Sequence, residues 1–434
     1  MKKEKNEKKR KRSGKVAWDK LDNTANLFPV IATQEMTNVY RISVSLKEKV
    51  VPAYLEQALE KVLPWFRIFR MRLREGFFWY YFEENQKKIP RIEQEHTYPG
   101  MYINRSRNRS YMFRVSYYEN RINLEVFHAL TDGSGAILFL KELLYQYLRL
   151  CHPELLEEEK DQISSGLALD KEDSYVKNFK KGHSRVYSSK KAFLIDGEQL
   201  AKGEIGVIHG YLPVTALKEA CHTLQVTINE LLVGVMTYSI YRECLSDGAG
   251  KYPIAVSVPV NLRPFYDSYT MKNFFAMVSA QFAPEKEEYD FTEVLAITTK
   301  SLREQITPQN LNDILSYNVS NEKNLVLRSV PLFIKKLVMK RVYGVSARAS
   351  STTITNMGNI TLRDAYQKYV EHFYVTLSMS KGQKIKGGVC SYQGTLVFTF
   401  SSVLEDVTIQ KRFFRTLQKL GVPVAIESNG VYDE

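Results

Sequence analysis

The stretch FHALTDGSG, residues 127–135, ends an apolar strand and opens a helix. In RINLEVFHAL (121–130), Ile122, Leu124, Val126 and His128 share parity, so a strand directs the imidazole to the same apolar face as the three aliphatic side chains. Asp132, Gly133 and Gly135 then separate that strand from the helical pattern of SGAILFLKELLYQYLRL (134–150). There glycine permits tight backbone conformations and Asp can cap the helix. A lone inward histidine is usually a hydrogen-bonded core residue, and a cap needs no histidine upstream. Among the seven histidines, only His128 is followed by Asp at i+4 and Gly at i+5.

Working outward, YRISVSL (40–46) alternates as a strand, and KEKVVPAYLEQALEKVL (47–63) has apolar residues at helical spacing. GFFWYYFE, YMFRVSYYE and RINLEVFHAL read as successive strands before the helix. From Pro153 to about Gly203 the pattern weakens into acidic ELLEEEKDQ and polar SSGLALDKEDS, read as a crossover linker. Periodicity returns with a strand at GVIHGYL, two helices meeting near Gln225 to Thr227, and a strand at KYPIAVSVPVNL. Helices are expected over 291–306, 309–318 and 329–342, strands at HFYVTLSMS, GGVCSY and GTLVFTFSS, and a closing helix at TIQKRFFRTLQKLG. The layout is α/β (α+β), with a basic tail at 1–15, an N-terminal subdomain over 16–155, a linker over 156–203 and a C-terminal subdomain over 204–434. Two such halves place a site in the cleft between them.

A length of 434 residues exceeds what one hydrophobic core usually serves, and 44% hydrophobic content with 12% aromatics is ample for burial. No apolar run approaches the roughly 18 residues needed to span a bilayer. LLVGVMTYSIY (231–241) reads as a buried helix. The N-terminal basic run lacks a following apolar region and cleavage site, so a cytoplasmic location is expected. Cys151, Cys221, Cys244 and Cys390 lack metal-ligand spacing and read as reduced thiols, with no metal site. Residues 1–15 carry nine Lys/Arg against two Glu, so +7 of the net +13 lies there and +6 in the other 419 residues. That tail reads as disordered and solvated, with peripheral contact to an anionic surface as the alternative. No nucleic-acid motif occurs in the body.

F-H-A-L-T-D-G resembles the HxxxDG motif of the chloramphenicol acetyltransferase-like superfamily, which includes BAHD acyltransferases, alcohol acetyltransferases, polyketide-associated acyltransferases and peptide-synthetase condensation domains. VPVNLRP (258–264) resembles the stretch whose Arg pairs with the motif Asp, and KNFFAMVSA resembles the N-F-type segment that follows it. VTINELLVGV (226–235) and TNMGNI (355–360) resemble further segments of the same group, in the same order, so the resemblance spans roughly residues 18 to 428. The chain most resembles bacterial alcohol acetyltransferase-like and polyketide-associated acyltransferase-like proteins, the former through WDKLDNTANLFP and FHALTDGSGA. Two features depart from subgroups: Phe127 stands where condensation domains usually carry a second His, and the DFGWG motif of plant-type enzymes is absent.

The resemblance implies two chloramphenicol acetyltransferase-like subdomains, each a mixed sheet with flanking helices, and an active-site tunnel between them. It also implies an acyltransferase that moves an acyl group from acyl-CoA, acetyl-CoA among the options, to an alcohol or amine. His128 is then the general base, with no covalent enzyme intermediate and no bound cofactor, acyl-CoA being a cosubstrate. Asp132 alone invites a Ser-His-Asp reading, but the resemblance implies a structural ion pair with Arg263. Asn356 and, more weakly, Asn273 are candidates for oxyanion donors or for shaping the acyl channel. Lys335, Lys336, Lys340 and Arg341 cluster at helical spacing as candidates for the CoA phosphates, against a solvated face as the plainer reading. The chain reads as a monomer. A carrier-protein thioester donor, or a non-catalytic binding member of the same fold, are the alternatives.

Overall fold

The computed structural model describes residues 17–156, 174–179, 190–245, 251–323 and 329–432. The basic tail lies outside them, as does most of the expected linker. In the first half, β1 (Trp18–Lys20) and β2 (Val39–Leu46) precede α1 (Pro52–Val62), β3 (Met71–Glu75), β4 (Tyr80–Glu84), β5 (Glu93–Gln94), β6 (Phe113–Tyr118), β7 (Arg121–Phe127) and α2 (Gly133–Cys151). The second half opens with β8 (Gly206–Pro213), α3 (Val214–Leu224), α4 (Ile228–Cys244), β9 (Ile254–Asn261), β10 (Phe275–Phe282), α5 (Phe291–Gln305), α6 (Pro308–Lys323) and α7 (Leu332–Ser346). It ends with β11 (Thr352–Asn359), β12 (Val370–Leu377), β13 (Ile385–Tyr392), β14 (Thr395–Ser402), α8 (Thr408–Lys419) and β15 (Ala425–Ser428). The strands form a five-stranded sheet, β12-β2-β7-β6-β5, a seven-stranded sheet, β10-β9-β11-β13-β14-β8-β15, and a small β1-β4-β3 sheet. The two large sheets are mixed: β5 runs parallel to β6, and β11 runs parallel to β9 and β13.

Local chemistry explains the boundaries. Asp132 caps α2, and capping boxes of Thr227 with Glu230 and Asp290 with Glu293 start α4 and α5. Gln225, at φ +56°, turns the chain between α3 and α4. The expected helix over 47–63 begins only at Pro52, whose fixed φ suits a first helical turn. GFFWYYFE is not one strand, because Gly76 N donates to Trp79 O at 2.8 Å and the chain reverses into the β3–β4 hairpin. β15 follows the closing helix and pairs with β8.

β12 departs from the division into consecutive halves. It leaves the C-terminal sheet and pairs antiparallel with β2 in the N-terminal one. The two sheets meet there at Gly388, where a Cβ would stand 2.1 Å from Val375 O, so only glycine permits the approach. Within the linker region, Ser174–Lys177 forms a short helix whose Tyr175 is buried. The Tyr175 hydroxyl donates to Phe275 O at 2.7 Å and accepts from Thr24 Oγ1 at 3.0 Å, tying the N-terminal segment to β10.

The N-terminal sheet is buried on both faces. Ile42, Val44, Ile122, Leu124 and Val126 form one side. On the other, Arg41, Ser43, Asn123 and Glu125 are also buried. Glu125 Oε1 accepts from Arg41 Nη2 at 3.1 Å and from Gly100 N at 2.7 Å. Burial pushes the Glu125 carboxyl up, but Arg41 and Arg114 beside it hold it below the ordinary carboxylate range.

Candidate active site

His128 stands one residue past β7, at the junction of the two halves. Its main-chain N–H donates to Asn38 O at 2.8 Å, which anchors the strand end. Phe28 stacks on the imidazole with centroids 4.5 Å apart, Tyr40 meets it edge-on at 5.0 Å, and Phe275 from β10 lies at 5.7 Å. The face chosen by strand parity is therefore an aromatic cradle built from three separate chain segments.

The polar edge of the ring is fixed from the second half. His128 Nδ1 lies 3.0 Å from Asn273 Oδ1. The amide of Asn273 is oriented in turn by Asp22, whose Oδ2 accepts from Asn273 Nδ2 at 3.0 Å and from Asn273 N at 3.2 Å. A carboxylate only accepts hydrogen bonds, so the amide NH₂ faces Asp22 and the amide oxygen faces the histidine. Nδ1 must then carry the proton, and Nε2 is left as the basic nitrogen. Burial holds the His128 pKa below its ordinary value, and the charge of Lys386 adds to that. Its own carbonyl, Asp132 and Asn273 act in the opposite direction. The ring is therefore neutral at pH 7.

Asp132 serves the architecture around this ring. Its Oδ1 accepts from Ser134 N at 3.1 Å and Gly135 N at 3.3 Å, and its Oδ2 accepts from Phe274 N at 2.9 Å. Arg263 grips both oxygens, with Nη1 to Oδ2 at 2.9 Å and Nη2 to Oδ1 at 3.1 Å. None of its hydrogen bonds among the described residues goes to His128. Arg263 also donates to Thr270 O and Lys272 O, so one guanidinium binds the loop between β9 and β10 to the N-terminus of α2. Gly133 leaves room for Met357, whose Sδ would be 2.3 Å from a Cβ at that position.

The remaining candidates are dispersed. Asn356 is exposed on β11, and its Oδ1 accepts from Gly358 N at 2.8 Å where the pairing with β13 shifts register, while its neighbour Met357 reaches the motif. Lys335 lies over the Trp79 ring at 3.3 Å, and Lys336 Nζ pairs with Glu75 Oε1 at 2.5 Å, so both tie α7 to the β3–β4 hairpin. Lys340 and Arg341 are exposed on α7. Phe127, next to the histidine, lines a small cavity of about 60 Å³ with Pro29, Val39 and Ile103. A larger depression of about 600 Å³ beside Leu224, Thr292 and Arg303 shares no residue with this site.

Two groups here escaped the sequence reading. Asp22 lies in WDKLDNTANLFP, where its only local signal is a turn: its Oδ1 accepts from Ala25 N at 2.7 Å. Lys386 is a lone cation in the apolar strand IKGGVCSY. Its Nζ donates to Ser378 O at 2.9 Å and Ser380 Oγ at 2.6 Å, and burial lowers its pKa to about 7. Between about pH 7 and 10.5 the folded chain holds this amine neutral while the unfolded chain still binds the proton. Stability from this group therefore rises with pH across that window, by up to about 1.4 kcal/mol per unit. Lys386→Met is expected to flatten the rise in urea midpoint between pH 7 and 10, and an unchanged slope would place the amine in contact with water.

No protein-family model matches the chain, and no curated protein does either. Solved structures do. The starter condensation domain of rhizomide synthetase, in complex with C8-CoA and Leu-SNAC, superposes with a TM-score of 0.58 at 14% identity, covering 93% of this chain and 94% of that one. The fold is that of the condensation domains. Polyketide synthase associated protein 5 from Mycobacterium tuberculosis shares the condensation-domain fold at a TM-score of 0.56 and 11% identity, over 93% and 97% of the two chains. So does the epimerization domain from the third module of tyrocidine synthetase B, at 0.54 and 10%, over 93% and 96%. The two-subdomain α/β architecture expected from the sequence is thus that of these solved structures, at identities that speak to fold alone.

Proposed function

We propose that the chain is an acyltransferase that moves an acyl group from acyl-CoA to an alcohol or amine. The observation that carries this reading is the Asp22–Asn273–His128 chain of hydrogen bonds, which leaves Nε2 of a neutral imidazole as the acceptor in an aromatic cleft. Nε2 takes the proton from the acceptor as its oxygen or nitrogen attacks the thioester carbonyl carbon. The tetrahedral intermediate collapses, the carbon–sulfur bond breaks, and the imidazolium returns its proton to the departing thiolate. No covalent enzyme intermediate is needed. Phe28, Tyr40 and Phe275 around the ring favour an apolar acceptor and exclude water from the reacting carbonyl. The C8-CoA complex of the rhizomide synthetase domain supports a CoA thioester as donor.

The test is release of free CoA thiol from a series of acyl-CoAs across alcohols and amines. Wild-type chain is expected to release thiol with at least one pair, and His128→Ala to lose about 10² to 10⁴ of that rate with an unchanged circular dichroism spectrum. Full turnover in His128→Ala sinks the mechanism.

A further inference from the structure

Helix α7 reads LFIKKLVMKRVYGVS and contains no acidic residue. Its inner side packs Leu332, Met339 and Tyr343 on the N-terminal core. Outward, Phe333, Ile334, Leu337, Val338, Val342 and Val345 are exposed, Leu337 at 69% and Val345 at 67%. At helical spacing these six cover about half of the circumference, with Arg341 inside the arc and Lys340 at its margin. The β3–β4 hairpin extends the face, because Leu332 N donates to Phe77 O at 2.8 Å and Phe77 itself is 68% exposed, beside an exposed Phe78. A contiguous apolar face of this kind marks an interaction site, whereas scattered exposed apolar residues do not.

We propose that this face rests on the surface of an anionic lipid bilayer, with α7 in the headgroup plane and the Phe77–Phe78 tip dipping in beside it. A broad apolar arc bordered by cations and free of carboxylates is the pattern of an interfacial helix. Charge agrees: residues 16–434 still carry +6, and Lys340 and Arg341 point outward from the same surface. A second copy stacked face to face would bring that cationic pair towards its own mate, at an electrostatic cost a negatively charged membrane does not impose. No helix among the described residues is long and apolar enough to cross a membrane, so the contact is peripheral. The face lies one layer from His128, since α7 packs on the short helix Phe28–Ile31 and Phe28 stacks on the imidazole. The contact itself does not depend on acyl transfer, and its test measures binding alone.

The full chain is sedimented with vesicles of phosphatidylcholine and of phosphatidylcholine mixed with phosphatidylglycerol. Wild type is expected to bind the anionic vesicles, and the double variant L337E/V338E, altered at two exposed positions, to bind at least about ten-fold more weakly. K340E/R341E tests the charge separately and is expected to erase the preference for anionic over neutral vesicles. A chain lacking residues 1–15 is expected to retain the difference between wild type and L337E/V338E. Three results overturn the proposal: equal vesicle binding by wild type and L337E/V338E, binding abolished by removing residues 1–15 alone, or a wild-type dimer in light scattering that L337E/V338E splits.

Discussion

Asp22→Asn is expected to lower thioester turnover by about 10² to 10⁴ while the chain stays folded, the range that positioned proton transfer supplies. Asp22 Oδ1 accepts from Ala25 N and Oδ2 accepts from both nitrogens of Asn273. An amide at position 22 must turn its NH₂ towards one of these donors. Facing Asn273, it flips that amide, which then presents its own NH₂ to His128 Nδ1, and the imidazole proton moves to Nε2, where it blocks the base. Facing Ala25, it opens the turn that aims residue 22 at the site. Nitrogen-15 spectra of His128 report the tautomer directly. Wild type should show a protonated Nδ1 and a bare Nε2, and the variant a shift towards protonated Nε2. Wild-type turnover with an unchanged tautomer in Asp22→Asn would remove the relay from the mechanism.

Arg263→Met is expected to destabilise the chain by about 3 to 5 kcal/mol, read as a lower urea midpoint. The side chains of Arg263 and Asp132 are 13% and 8% exposed, so the substitution strands a carboxylate that solvent barely reaches. Three main-chain N–H groups would still serve Asp132, which places the loss within this range and not above it. The same change removes the Arg263 donors from the carbonyls of Thr270 and Lys272, three residues and one residue from Asn273. Activity should fall together with stability as the relay loosens. A change below about 1 kcal/mol would mean that water reaches the pair and screens it.

Most helices and the longer strands of the first half were legible because they are written in local periodicity and caps, whereas β10 and β11, both in the seven-stranded sheet, were not read as strands. The parity of Ile122, Leu124 and Val126 put His128 on the right face, and Asp132 at a strand–helix junction announced a cap. What escaped was whatever depends on distant chain. Asp22 and Asn273 meet across 251 residues, and nothing near either marks it as a partner of a histidine. Lys386 in an apolar strand looks like an edge residue until the second sheet buries it. Asn356 illustrates the converse: an Asn followed by Met and Gly suits a turn after a strand, but it lies within β11, where its hydrogen bond to Gly358 N spans a register shift against β13. GFFWYYFE failed because aromatic residues carry strand propensity through a hairpin whose only breaker is Gly76.

The strand exchange at β12 bears on how the chain is made. Ser45 and His372 are hydrogen-bonded neighbours 327 residues apart, so the outer edge of β2 has no mate until the ribosome has passed His372. Until then the nascent N-terminal sheet presents open N–H and C=O groups along a fully buried-type strand, a template for pairing with other chains. Expression of residues 1–203 alone, which lack β12, should therefore give aggregates. The two halves look modular in sequence, but neither is a unit of inheritance: a gene fusion that swaps one for a homologous half must carry β12 with the sheet it completes.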